Sequence, residues 1–102
     1  MSETISTPNP GPGGDQPCVR LVCVLNEQGL HARPAAKLAQ TAQRFDSAIT
    51  IVMNGQEVDA KSILDILTLA AGHGTNLELR AEGHDAGRAL DELAGLFKNR
   101  FQ

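Results

Sequence analysis

The period of apolar and polar positions changes along the chain, and each change marks an element. The run Cys18-Val19-Arg20-Leu21-Val22-Cys23-Val24-Leu25 is dense in strand formers and is closed by Asn26-Glu27-Gln28-Gly29, which predicts a first strand. Ala35, Leu38, Ala39 and Ala42 then recur at helical spacing, followed by Phe45, and predict an alanine-rich helix of about three turns. Ile49, Ile51 and Met53 alternate with Thr50 and Val52. Asn54-Gly55 supplies the positive φ angles of a tight hairpin turn, and Gln56 to Ala60 forms the return strand. Behind Ser62, a good N-cap residue, Ile63, Ile66, Leu67 and Ala70 predict a short helix ended by Gly72-His73-Gly74. Leu77, Leu79 and Ala81 alternate with Glu78, Arg80 and Glu82 up to Gly83, a strand with one wet face. Ala86, Ala89, Leu90, Leu93 and Phe97 form the clearest amphipathic stripe in the chain.

The predicted order is β-α-β-β-α-β-α. Each alternating strand has one apolar face and each helix one apolar stripe, so helices packed on a single side of a four-stranded sheet bury all of them at once. The class is α+β. Before Cys18 lie Pro8, Pro10, Pro12 and Pro17 with Gly11, Gly13 and Gly14, and there is little apolar content to offset ordering entropy. Residues 1–17 are therefore expected to be a disordered tail, and residues 18–102 one small domain.

Composition narrows the function classes. The 102 residues suffice for one domain, which excludes a multidomain enzyme. With three Phe and no Tyr or Trp, the chain has too few rings for base-stacking platforms. Nine Lys and Arg against twelve Asp and Glu give a formal charge of -3, which argues against a phosphate-backbone ligand; no nucleic-acid partner is expected. No apolar run approaches the roughly 20 residues of a membrane span, and the start lacks a signal-like pattern, so no membrane insertion or export is expected. Cys18 and Cys23, five apart on one predicted strand, point to opposite faces and cannot bridge each other. A reduced cytoplasmic setting fits.

Candidate chemistry concentrates in Gly29-Leu30-His31-Ala32-Arg33-Pro34, at the junction of a loop and a helix. An ordinary imidazole titrates near ~6.5, so at neutral pH much of it is free to act as a nucleophile. The first amides of a helix have no intrahelical partner and carry partial positive charge, which makes that end a ready anion site. Arg33 adds a planar cation suited to phosphate oxygens. Together these make His31 a candidate phosphoryl acceptor, with orphan amides of the helix start to hold the transferred oxygens and the Arg33 guanidinium to offset their charge. An ordinary surface histidine near a helix start has the same spacing. Where the helix begins is open on pattern alone: residues before proline avoid helical angles, which favours Pro34 at the first helical position and Arg33 as cap.

The stretch Gly29-Leu30-His31-Ala32-Arg33-Pro34-Ala35-Ala36 resembles the active-site signature of HPr, the histidine-containing phosphocarrier family of the bacterial phosphoenolpyruvate-dependent phosphotransferase system. A second stretch, Lys61-Ser62-Ile63-Leu64-Asp65-Ile66-Leu67-Thr68-Leu69-Ala70, is similar to the family's regulatory-serine signature at the expected distance, and the likeness spans residues 18 to 101. The resemblance implies an open-faced β-sandwich of four antiparallel strands under three helices, and a first helix that starts immediately after the histidine. It implies that His31 accepts a phosphoryl group on Nδ1 from Enzyme I and passes it to a downstream Enzyme IIA-type component, with Arg33 as its companion. It further implies that Ser62 is the target of an HPr serine kinase in some members, that partners dock across the first two helices, and that the protein is a monomer. Within the family, Leu69-Ala70-Ala71-Gly72, Gly74-Thr75 and the Phe97 to Phe101 ending look more like the nitrogen-related, regulatory branch than the sugar-transport branch.

Other features have plainer readings beside these. A serine before an apolar helical run is a normal N-cap worth about 1 kcal/mol, and this role for Ser62 is compatible with phosphorylation. Ile63, Leu64 and Leu67 cannot all face the core of so short a helix, because successive residues diverge by about 100°, so apolar surface is expected there for a docking partner. Cys18 and Cys23 are expected to pack within their strand. His73 and His84 fall in glycine-rich turns without metal-ligand spacing and are assigned no role. No metal or cofactor is expected. A hydrolase or metalloenzyme would need a second acid-base or metal group, which the sequence lacks. A phosphocarrier is the first reading, and a regulatory interaction protein that signals through its phosphorylation state is the alternative.

Overall fold

The sheet is built from four strands whose inward positions are almost all aliphatic. In the computed structural model, which describes residues 17–102, the elements are β1 (Cys18–Cys23), α1 (Ala32–Ala42), β2 (Ala48–Met53), β3 (Gln56–Asp59), α2 (Ile63–Thr68), β4 (Asn76–Glu82) and α3 (Ala86–Lys98). The expected tail, apart from Pro17, lies outside the described residues. The strands lie in the order β1-β4-β2-β3, every neighbouring pair antiparallel. Register follows the alternation: Ile51 stands opposite both Leu79 and Val58, and Ile49 opposite Ala81, so the apolar side chains line up on one face. Asn54 and Gly55 have φ of 51° and 85°, the two positive angles of a type I′ hairpin.

The three helices cover that face. Leu38 and Ala39 from α1, Ile66 from α2 and Leu90, Leu93 and Phe97 from α3 are buried against Ile49, Ile51, Leu77 and Leu79. Burying each large side chain contributes about 1.5–3 kcal/mol, which is how a domain this small sustains one core. The opposite face of the sheet is open. Val19 and Leu21 are exposed on β1, and Arg80 on β4 pairs with Glu78 and with Glu57 on β3.

The element order expected from the sequence and the α+β open-faced sandwich are both present. Three boundaries differ from the pattern. β1 stops at Cys23, although Val24 still exchanges backbone hydrogen bonds with Thr75 and Gly74. α1 begins at Ala32 rather than Pro34, because a proline at the third helical position loses only an amide the helix would leave unpaired, and meets no intrahelical carbonyl. α2 ends at Thr68, four residues before Gly72; Leu69 caps it and Ala70, at φ 51°, takes the left-handed turn that usually falls to glycine. Cys18 and Cys23 are free thiols, and Cys18 packs against the core.

Candidate functional site

His31 is the N-cap of α1, in extended conformation, with its side chain exposed and making no capping hydrogen bond. Its carbonyl accepts the first helical bond, from the Ala35 amide at 3.0 Å. Pro34 has no N–H, so the amides of Ala32 and Arg33 are the ones left free beyond the imidazole. The first turn holds no acidic side chain to offset the positive end of the helix. Arg33 is exposed, and among the described residues no carboxylate pairs with it. An exposed imidazole therefore stands at a helix start with two free amides, and the exposed Arg33 side chain follows two residues on. The arrangement suits reception of a phosphoryl group, whose charge falls on its oxygens.

The histidine is exposed but firmly held. Leu30 on one side and Pro34 and Ala35 on the other are buried. The Leu30 amide donates to the Ala71 carbonyl at 2.9 Å. Gly29 closes a turn with Asn26 (3.0 Å) and has φ +74°, and a Cβ there would stand 2.5 Å from the Ala71 oxygen and 2.9 Å from the Gly72 Cα. Only glycine lets the loop before His31 lie so close to the chain leaving α2. Sequence reasoning placed Gly29 in the motif without its contact; a glycine in a turn was the sole signal.

α2 runs antiparallel to α1. Its C-terminal end meets the His31 end of α1 through Ala71, while Gln43, just past the other end of α1, donates to the Lys61 carbonyl at 2.8 Å. Ser62 caps α2 as expected, its Oγ accepting from the Asp65 amide at 3.2 Å. It sits at the end of α2 away from His31, a helix length of about 9 Å. Lys61 Nζ donates to the Phe45 carbonyl at 2.7 Å, which ties the start of α2 to the loop after α1. On α2 itself Ile66 is buried, Ile63 half-buried and packed on the core, and Leu64 and Leu67 exposed, Leu64 by 76%.

Beside His31 opens a shallow cleft of about 330 Å³ lined by Asn26, Glu27 and Gln28 from the loop after β1 and by Arg100 and Gln102 after α3. Nothing in the sequence suggests that Arg100 and His31 line one cleft; the tertiary fold puts both there. At the far end of α1 a second group assembles. Asp85 accepts from the amides of Asp46 (2.9 Å) and Ser47 (3.0 Å) and from the Ser47 hydroxyl, and His84 lies 3.0 Å from Asp46. The Ser47 hydroxyl, then the Asp46 amide, lower the Asp85 carboxyl to about 2. His84 thus stands among carboxylates that sequence spacing did not reveal, 38 residues away in the case of Asp46. His73 is exposed in its turn.

Comparison with known proteins bears on the family and the fold. A family model described as PTS HPr component phosphorylation site matches residues 19–99. The chain is 49% identical to the phosphocarrier protein HPr of Treponema pallidum (strain Nichols), over 82% of this chain and 96% of that protein. It is 43% identical to the phosphocarrier protein NPr of Shewanella violacea, over 80% of this chain and 90% of that protein. Among solved structures it is similar to HPr from Thermoanaerobacter tengcongensis, with a TM-score of 0.80 and 38% identity, covering 82% of this chain and 94% of that one.

Proposed function

The chain belongs to the HPr phosphocarrier family of the bacterial phosphotransferase system, and from that premise we propose that His31 takes a phosphoryl group from Enzyme I, with phosphoenolpyruvate as the original donor, and passes it to an Enzyme IIA-type component. The observation that carries this is the exposed His31 imidazole at an N-cap with the free amides of Ala32 and Arg33 behind it and no acid in the first turn. The Nδ1 lone pair attacks phosphorus and forms an N–P bond, while the bond from phosphorus to the donor breaks and its electron pair stays with the donor. The proton on Nε2 exchanges with solvent. Ala32 and Arg33 amides and the Arg33 guanidinium face the phosphoryl oxygens. The protein is then a stoichiometric carrier, monomeric and cytoplasmic, and not an enzyme in its own right.

Partners dock over α1 and α2, on Leu64, Leu67 and the exposed edge of Ile63, and an HPr serine kinase modifies Ser62 in hosts that possess one. The similarity to NPr of Shewanella violacea favours a second reading of the same site, in which the protein signals in the nitrogen-related branch through its phosphorylation state. Incubating the protein with phosphoenolpyruvate and the host's Enzyme I is expected to give acid-labile phosphate on His31, and none in His31→Ala with its fold intact. Undiminished labelling of His31→Ala overturns the proposal. Which Enzyme IIA-type acceptor discharges the labelled protein separates the two branches.

A further inference from the structure

α3 ends in a turn that places a second cation beside His31. The Arg100 amide donates to the Phe97 carbonyl (3.2 Å) and the Phe101 amide to the Leu96 carbonyl (2.8 Å), the paired bonds of a Schellman motif. Such a motif reserves its left-handed position for glycine, yet here Arg100 and Phe101 have φ of 55° and 60°. Two anchors hold this conformation. Phe101 is buried, its ring edge-on to Phe97 with centroids 4.9 Å apart, and Asn26 Nδ2 donates to the Arg100 carbonyl at 2.9 Å. The second anchor joins the turn to the same loop that lines the cleft at His31. Strained side-chain-bearing residues fixed from both sides are the kind of arrangement found at functional sites.

The Arg100 side chain is exposed and lines the His31 cleft, and among the described residues it forms no ion pair. The ionisable side chains lining that cleft are those of His31, Arg100 and Glu27. A phosphoryl group added to His31 brings negative charge to a space lined by the anionic Glu27 and the cationic Arg100, whose backbone the turn holds in place, while Arg33 does not line this side. Resting on the carrier reading above, we propose that Arg100 is a second phosphate-holding residue, which stabilises phosphorylated His31 from the side of the cleft opposite the start of α1.

The test is the equilibrium of phosphoryl exchange between Enzyme I and the carrier. That constant depends only on the free proteins in their two states, so a residue that merely aids docking changes rates and leaves it unmoved. Arg100→Gln, which keeps the left-handed strain but removes the charge, is expected to shift the equilibrium about threefold against the phosphorylated carrier. Arg100→Lys is expected to restore most of it, and Glu27→Gln to shift it the other way. Absence of labelling in the wild-type protein would mean that the carrier reading itself fails. Normal labelling with an unchanged equilibrium in Arg100→Gln overturns the role of Arg100 alone, as does a shift in Arg100→Gln that Arg100→Lys reproduces in full. Should Arg100→Gln fold poorly, Arg100→Asn, which tolerates the left-handed angle, carries the same comparison, and a wild-type equilibrium in it overturns the role of Arg100.

Discussion

Gly29 carries a constraint that the reactive residues beside it do not show. A methyl group at that position meets the Ala71 carbonyl and the Gly72 Cα, and the φ of +74° disfavours any L side chain as well. Gly29→Ala is therefore expected to lose about 1–3 kcal/mol in chemical denaturation, and to slow phosphoryl transfer because the loop that aims His31 must move off Ala71. Wild-type stability in that variant would show that the two loops separate freely. Arg33 makes the opposite case: it is exposed and has no ion-pair partner among the described residues, so Arg33→Ala is expected to leave melting unchanged while slowing transfer at least about tenfold at saturating Enzyme I. Equal rates would mean that the amides of Ala32 and Arg33 suffice. His31 and Arg33 can be proposed from the sequence because their chemistry is intrinsic to the side chains and their neighbours are local. The demand on Gly29 cannot, since it comes from a chain segment more than forty residues away.

At the scale of elements, periodicity revealed whatever packing decides. Ile49 and Ile51, Leu77 and Leu79, and the stripe from Ala86 to Phe97 all face the core as their spacing demands. Ends were less legible where local preference and packing compete. Proline statistics favoured a helix starting at Pro34, yet Leu30 and Ala35 must both enter the core, which draws the start back to Ala32 and leaves Pro34 at a position that needs no N–H. The pattern puts the stop of α2 at Gly72, but Leu69 and Ala71 are both buried, and the chain accepts a left-handed Ala70 to put them there. Ser62 was legible as a cap because its hydroxyl bonds an amide three residues on. Its place gives a prediction. In Ser62→Asp the added charge meets the free amides at the start of α2, so melting is expected to be unchanged or higher. The same charge stands beside Leu64, 76% exposed on the surface assigned to docking, where burying it is unfavourable. Affinity for Enzyme I is expected to fall, with transfer slowed through binding. Wild-type affinity, measured by calorimetry, would remove Leu64 and its neighbours from the docking surface.

Across the whole molecule the reactive end of α1 is separated from a structural clamp at its other end. Asp85 precedes α3 and could cap it, but its side chain makes no capping bond and turns instead to the loop between α1 and β2. There it accepts from the Asp46 and Ser47 amides and from the hydroxyl of Ser47, which is 2% exposed. The clamp was illegible in the sequence, since a lone Asp before a helix looks like a cap and its partners lie 38 and 39 residues away. It has a consequence for acid stability. Hydrogen bonds from Ser47 and Asp46 lower the Asp85 carboxyl from 3.8 to about 2, so the folded protein favours the carboxylate more than the unfolded chain does. The stabilisation is fully present above the unfolded value and is lost as pH falls from about 4 to about 2. The informative quantity is the difference in unfolding free energy between wild type and Asp85→Asn, in which contributions from the rest of the chain cancel. That difference is expected to be constant from neutral pH down to about 5, then to shrink steadily toward pH 2 as the wild-type clamp protonates. Ser47→Ala is expected to act in the same direction, losing about 1 kcal/mol at neutral pH and less in acid. Urea denaturation across this range reads both, and a wild-type to Asp85→Asn difference that stays level down to pH 2 would show that Asp85 does not hold the two loops through its charge.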